Sequence, residues 1–181
     1  MSIHYEFPVI SHISEVLEAI EGRPEFIVAV KDGYTVINYV VAGADTFPPV
    51  VDKNTAILRE CRGIVFDNET GAVIARRFHK FFNLGEREEL LAGNFDMKTH
   101  KLPVKLDGSM ITPIPVNGEI RWGTKMGITD VALPVEEFVA KHPKYHEFAD
   151  EQRNWGYTPI FEWCSNKQRI VIDHKEDALI L

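Results

Sequence analysis

In the stretch LPVKLDGSM (residues 102–110) an amine and a carboxylate stand two positions apart, directly before a glycine. Extended backbone would turn Lys105 and Asp107 to one face and Leu102, Val104 and Leu106 to the other. The apolar set would anchor a strand in a core, and Gly108 would free the backbone where that strand ends. A lone lysine of this kind is ordinarily a solvated charge on a half-exposed strand. The other reading is a nucleophilic amine in a cleft. Four further stretches weigh toward the second, because each sets charge inside apolar sequence: ECRGIVFD (Glu60 and Arg62), FHKFFNLGE (Lys80 beside Phe81 and Phe82), RWGTKMG (Lys125 between glycines) and IFEWCS (Glu162 between aromatics). All of them fall near the ends of expected strands. An amine at its ordinary pKa is almost wholly protonated at neutral pH and cannot attack an electrophile. Burial beside Val104 and Leu106, with Arg62, Lys80 and Lys125 nearby, would disfavour the ammonium and free its lone pair.

The elements expected to position these residues alternate hairpins with helices. SHISEVLEAIEG (11–22) has the pattern of an amphipathic helix with a serine start, stopped by Gly22 and Pro24. A hairpin follows, turning at Lys31-Asp32-Gly33, then a Pro- and Gly-marked loop over about residues 42–56 and a second strand pair, RGIVFD and AVIARRF. EREELLA (86–92) predicts a short helix ended by Gly93, and the lysine strand comes next. Asn117-Gly118 marks the turn of a third hairpin. Residues 134–153 predict a helix broken near Pro143, and TPIFEWCS, QRIVID and ALIL predict closing strands. The fold class is α+β, with mostly antiparallel sheets and inserted helices.

A chain of 181 residues, 45% apolar and 26% charged, suits one soluble domain with a real core. Its N-terminus lacks the basic and apolar regions of a signal peptide, and no run reaches transmembrane length. Two cysteines, Cys61 and Cys164, without metal-ligand neighbours in sequence, fit a reducing cytoplasm. The net charge of -7 argues against coating nucleic acid by overall charge, though RRFHK (76–80) could line a local basic cleft. His142 and His146 have the spacing of a zinc helix, but Pro143 lies between them and a third ligand is lacking in sequence. Trp122, Trp155 and Trp163 are read as core or core-edge residues rather than base-stacking ones.

Lys-x-Asp-Gly-Ser resembles the nucleotidyl-accepting motif of covalent nucleotidyltransferases, the superfamily of DNA ligases, RNA ligases and mRNA-capping guanylyltransferases. The series ECRGIVFD, KFFNLGE, KLDGS, GTKMG and FEWCSNKQRIV is similar, in order and approximate spacing, to the ATP-dependent RNA ligase 1 type of T-even bacteriophage, which reseals broken tRNA. The resemblance runs from about residue 58 to Leu181. It implies a nucleotidyltransferase adenylation domain (ATP-grasp-like), ATP and Mg2+ as cofactors, and RNA with 5′-phosphate and 3′-hydroxyl ends as partner. Lys105 would attack ATP to give lysyl-AMP; the AMP would pass to the RNA 5′-phosphate and be displaced by the 3′-hydroxyl. Arg62 and Lys80 would contact the β- and γ-phosphates. Lys125 and Gly108 would belong to the nucleotide site, and Asp107 and Glu162 would orient magnesium-bound water or the ribose. Phe82 and Tyr39 are candidates for the nucleoside, with a core role as the alternative.

Family members continue with an E-G-x-V motif and a K-x-K motif, neither of which occurs after Glu162. The expectation is therefore the N-terminal part of an adenylation domain over residues 1–181, with a second polypeptide or self-association supplying the rest, in the cytoplasm (the host's, for a phage gene). Two other readings stay open: a capping guanylyltransferase-like enzyme, and a non-catalytic nucleotide or RNA-end binding module.

Overall fold

A computed structural model describes residues 5–43, 45–96 and 98–181. Two four-stranded antiparallel sheets lie between two pairs of helices. The first sheet has the order β1 (Phe26–Val30), β2 (Tyr34–Tyr39), β3 (Arg62–Asp67), β4 (Val73–Ala75). The second has the order β6 (Glu119–Gly123), β5 (Ser109–Val116), β7 (Phe161–Cys164), β8 (Ala178–Ile180). Helices α1 (Ile13–Ala19) and α2 (Lys53–Glu60) cover the first sheet, where Val16, Ile20, Ile57 and Leu58 pack on Ile37, Ile64 and Phe66. Helices α3 (Leu133–Ala140) and α4 (Lys144–Asn154) cover the second, where Val135, Val139 and Ala149 meet Ile111, Trp122 and Trp163. A third core joins the sheets through Tyr34, Val36, Val65, Ala75 and Ile114. β2 and β3 are thus buried on both faces, which is why they are near-continuous apolar runs.

Turn chemistry places the hairpins as expected. β1 and β2 pair from Phe26↔Tyr39 to Val30↔Thr35, and Gly33 takes the left-handed φ of +77° in the turn. Asn117 and Gly118 both have positive φ between β5 and β6, as a type I′ turn requires. The helix at 134–153 is broken at Pro143, and ALIL supplies β8.

Six expectations need correction. Residues 102–107 form no strand: Leu102 and Val104 are 78% and 84% exposed, and β5 begins only at Ser109. QRIVID is likewise irregular, with Ile170, Val171 and Ile172 turned to solvent. AVIARRF contributes only the three residues of β4. In place of a helix at 86–92 there are two single 3-10 turns, Glu88–Leu90 and Ala92–Asn94. The loop over 42–56 gives way to α2, whose first turn is closed by Asp52: its side chain accepts from the Thr55 N–H while the Thr55 hydroxyl caps the Asp52 backbone. The start of α1 is also one residue later than the serine, with His12 as its cap.

Candidate active site

The lysine loop reaches the second sheet where β5 meets β7. Ser109 pairs with Trp163 and Met110 with Glu162, so Asp107 and Gly108 arrive directly beside the Glu162 strand. Gly108 is required by that approach: a Cβ there would lie 2.2 Å from the Trp163 carbonyl oxygen. Asp107 turns its Oδ2 to the backbone N–H groups of Val171 (2.8 Å) and Ile172 (2.6 Å), and its own carbonyl meets His174 Nε2 at 2.6 Å. Those backbone donors hold its carboxyl below the usual carboxylate range. Glu162 is half-buried, and burial pushes its carboxyl up, against the opposing pull of Lys105 and the Gly108 N–H. One carboxylate is thus fixed in its charged form while its neighbour is held closer to neutrality.

Lys105 itself is exposed, with Nζ 3.5 Å from the Leu106 carbonyl oxygen. The burial beside Val104 and Leu106 expected from sequence is absent, because the loop never enters a sheet. Lys105 is in electrostatic reach of Glu162 and Asp107. Arg62 opens β3 and crosses from the first sheet: its Nη1 lies 3.5 Å from Met110 Sδ and 3.4 Å from the Phe78 carbonyl, and its guanidinium sits 4.9 Å over the Phe81 ring. Lys105, Asp107, Gly108, Glu162 and Arg62 are therefore brought together.

Lys125 approaches from another side. It lies in the turn closed by the Thr124↔Gly127 bridge, with Nζ 5.2 Å from the Tyr39 ring centre. Gly63, at φ +86°, lets β3 touch this turn, since a Cβ would fall 2.7 Å from the Lys125 carbonyl oxygen. Lys80 sits 4.1 Å over Phe82 and donates to the Phe81 carbonyl at 2.6 Å. Among the described residues no hydrogen bond or ion pair joins Lys80 or Lys125 to the Lys105 loop. Phe82 and Tyr39 both pack at the edge of the first core, against Phe47. Each nonetheless offers a ring to a lysine.

Several contacts lie beyond what the sequence shows. Glu60, its side chain almost fully buried, accepts from the Tyr5 hydroxyl and pairs with Arg76 at 2.8 Å, anchoring the end of α2 next to Arg62. The Lys80 N–H donates to the Arg59 carbonyl at 2.6 Å, which ties the segment carrying Phe78 to Phe82 to the same helix. Glu60 stood out in sequence as a charge beside apolar residues, but its partners lie 16 and 55 positions away. His142 donates from Nδ1 to the Phe138 carbonyl and stacks on the Phe138 ring, and His146 packs edge-on to Trp122.

Among the described residues no three His, Cys, Asp or Glu side chains gather to hold a metal ion unaided. Asp107 and Glu162 fit the lesser demand of Mg2+, which keeps several waters and shares its coordination with substrate phosphates. No described helix is long and apolar enough to cross a membrane. Both cysteines are free and buried.

An amine, two unequal carboxylates and an arginine at one sheet end suit group transfer on an anionic substrate. The sequence profile of the RNA ligase family matches residues 60–181, and the chain belongs to this phage-type family. It is 34% identical over 170 residues to a protein from Thermovibrio ammonificans named as a candidate RNA ligase, covering 93% of this chain and 43% of that one. It is 38% identical over 135 residues to RNA ligase 1 of bacteriophage TS2126, covering 68% of this chain and 33% of the relative. A candidate bifunctional polynucleotide kinase/RNA ligase of Autographa californica nuclear polyhedrosis virus is 28% identical over 178 residues, 86% of this chain and 25% of the viral protein. The chain thus spans less than half the length of these relatives.

Proposed function

We propose that this chain carries the nucleotide-accepting part of an ATP-dependent RNA ligase that joins a 5′-phosphate to a 3′-hydroxyl, as in repair of broken tRNA. Lys105 Nζ, once it has lost a proton, attacks the α-phosphorus of ATP; the bond to pyrophosphate breaks and a phosphoramidate to AMP forms. An oxygen of the RNA 5′-phosphate then displaces the lysine, and the RNA 3′-hydroxyl finally displaces AMP. Arg62 meets the β- and γ-phosphates beside the lysine, with Lys80 and Lys125 as further cations and Tyr39 and Phe82 as rings for the nucleoside. Mg2+, held in part by Asp107 and Glu162, would offset charge on the phosphates.

The observation that carries this reading is the pairing of Met110 with Glu162, which sets Lys105, Asp107 and Gly108 against that carboxylate with Arg62 alongside. The test is covalent labelling with α-labelled ATP and magnesium, run on the 181-residue chain alone and with a ligase fragment that bears the E-G-x-V and K-x-K motifs. Label is expected on Lys105 and is expected to be lost in Lys105→Ala and in Lys105→Arg, whose guanidinium stays protonated. Label on another lysine refutes the nucleophile. Labelling by GTP instead of ATP would favour a capping-type enzyme, and ATP binding without label in either arm would favour a non-catalytic module.

A further inference from the structure

Two of the three tryptophans are core residues: Trp122 and Trp163 are at most 1% exposed. Trp155 is not. It is 64% exposed on the turn that ends α4, and Tyr157, two residues on, is equally exposed. Slack chain does not explain this. The Trp155 N–H donates to the Glu151 and Gln152 carbonyls, the Gly156 N–H to Arg153 at 2.8 Å, and the Tyr157 N–H to Gln152 at 2.9 Å. Gly156 takes the left-handed φ of +82° that the turn demands. The fold therefore holds two aromatic rings in water on a well-bonded backbone.

Tyr157 lines a groove of about 400 Å³ that runs along β4. The charged residues of its lining are Arg76 and Arg153, with no carboxylate among them, in a chain whose net charge is -7. Arg76 is fixed in place: Nε on Glu60, Nη2 on the Pro8 carbonyl at 3.0 Å, and its backbone N–H on the Thr158 hydroxyl at 3.1 Å. Arg153 has a single acidic partner among the described residues, Asp150, at a loose 3.7 Å. Flat rings beside guanidinium groups are what a single nucleic-acid strand requires: bases stack on the rings with little regard to sequence, and phosphates meet the guanidiniums. Arg76 also begins the segment that runs through Phe78 to Lys80. Arg76 is thus joined, four residues on in the chain, to Lys80, the lysine proposed above as a further cation for the triphosphate.

We propose that the groove between the end of α4 and β4 binds single-stranded RNA, with Tyr157 in its lining stacking a base, Trp155 on the adjoining turn outside the lining taking a neighbouring base, and Arg153 and Arg76 meeting phosphates. The choice of RNA among polyanions rests on the ligase reading. The test uses Trp155→Ala, Tyr157→Ala and the double variant in the 181-residue chain; both side chains are exposed, so folding is not at stake. A fluorescein-tagged, 5′-phosphorylated oligoadenylate is titrated by anisotropy, and inorganic polyphosphate, which brings charge without rings, is titrated alongside. Each single variant is expected to weaken RNA binding by about five- to a hundred-fold, the double variant further, with polyphosphate affinity unchanged. Formation of lysyl-AMP in the absence of RNA should also be unchanged. Equal RNA affinity in wild type and double variant overturns the platform. So does a matching loss of polyphosphate binding, which would make the groove a plain anion site. Absence of label on Lys105 in the wild type would strike the nucleophile alone, since the RNA titration decides the platform without it.

Discussion

Glu162 is the residue at which burial and chemistry pull in opposite directions. Its carboxyl is raised chiefly by desolvation, so the folded protein holds that proton more tightly than the unfolded chain does. Its contribution to stability is therefore full below the ordinary glutamate pKa of about 4.3 and is lost as pH rises through the raised folded value. Glu162→Gln, neutral throughout, escapes that loss. Its melting temperature relative to wild type should rise between acid and neutral pH, while adenylylation of Lys105 slows by a hundredfold or so. A pH-independent difference in melting would show that burial does not disfavour the carboxylate, and an unchanged rate would make Glu162 structural. The charged candidates stand out in sequence because each interrupts apolar sequence, and the fold brings Lys105, Asp107, Glu162 and Arg62 together. The reason given for lysine reactivity does not hold: Leu102 and Val104 alternate like core residues, yet both face solvent. Glu60 was seen as an oddity but not as a hub, since its contacts with Tyr5 and Arg76 exist only in the folded chain.

Among the elements, the lysine loop depends on the closest backbone approach at the site. A Cβ on Gly108 would stand 2.2 Å from the Trp163 carbonyl oxygen and 2.8 Å from its carbon. Both are strand backbone, so no flexible side chain can give way. Gly108→Ala should force the loop off β7, destabilise the fold by about 1–3 kcal/mol, and reduce labelling of Lys105 more than Lys125→Ala does, because Lys125 approaches on a separate turn. Urea denaturation and single-turnover labelling check this; unchanged midpoint and rate would show that the loop adjusts freely. The elements best read from sequence are those set by local turn chemistry, the Lys31-Asp32-Gly33 and Asn117-Gly118 hairpins. α2 was hidden for a different reason: it is eight residues long, and its last charged residues, Arg59 and Glu60, are buried against distant partners. QRIVID has strand propensity, yet the Asp107 carboxylate takes two of its N–H groups, which a ladder would otherwise use.

At the scale of the whole molecule, the site is assembled across two sheets, and Arg77 is the residue that joins them there. It is almost fully buried, its Nη1 on the Gly63 carbonyl of β3 and its Nη2 3.5 Å from the Gly123 carbonyl of β6. Beside it, Gly63 touches the Lys125 backbone, and the Tyr34 hydroxyl of the first sheet accepts from the Ile128 N–H at 2.9 Å. Arg62 and Lys125 thus stand on opposite sides of one seam. Burial disfavours the Arg77 charge, so Arg77→Met sets relief from that burden against two lost contacts on carbonyl oxygens. Hydrogen bonds from charged groups contribute about 1.5–3 kcal/mol each, and one of these two is at the limit of length. The expected balance is a net loss of stability of about 1–3 kcal/mol, seen by calorimetry. The functional consequence separates from stability at low temperature, where wild type and variant are both folded. There Arg77→Met should still label Lys105 more slowly at limiting ATP, because the cations on the two sides of the seam no longer share a fixed spacing. Saturating ATP should recover most of the rate, as it would for a defect in holding the triphosphate rather than in the attacking amine. Full-speed labelling by the folded variant at limiting ATP would confine Arg77 to stability and remove the seam from the account of how the site is held together.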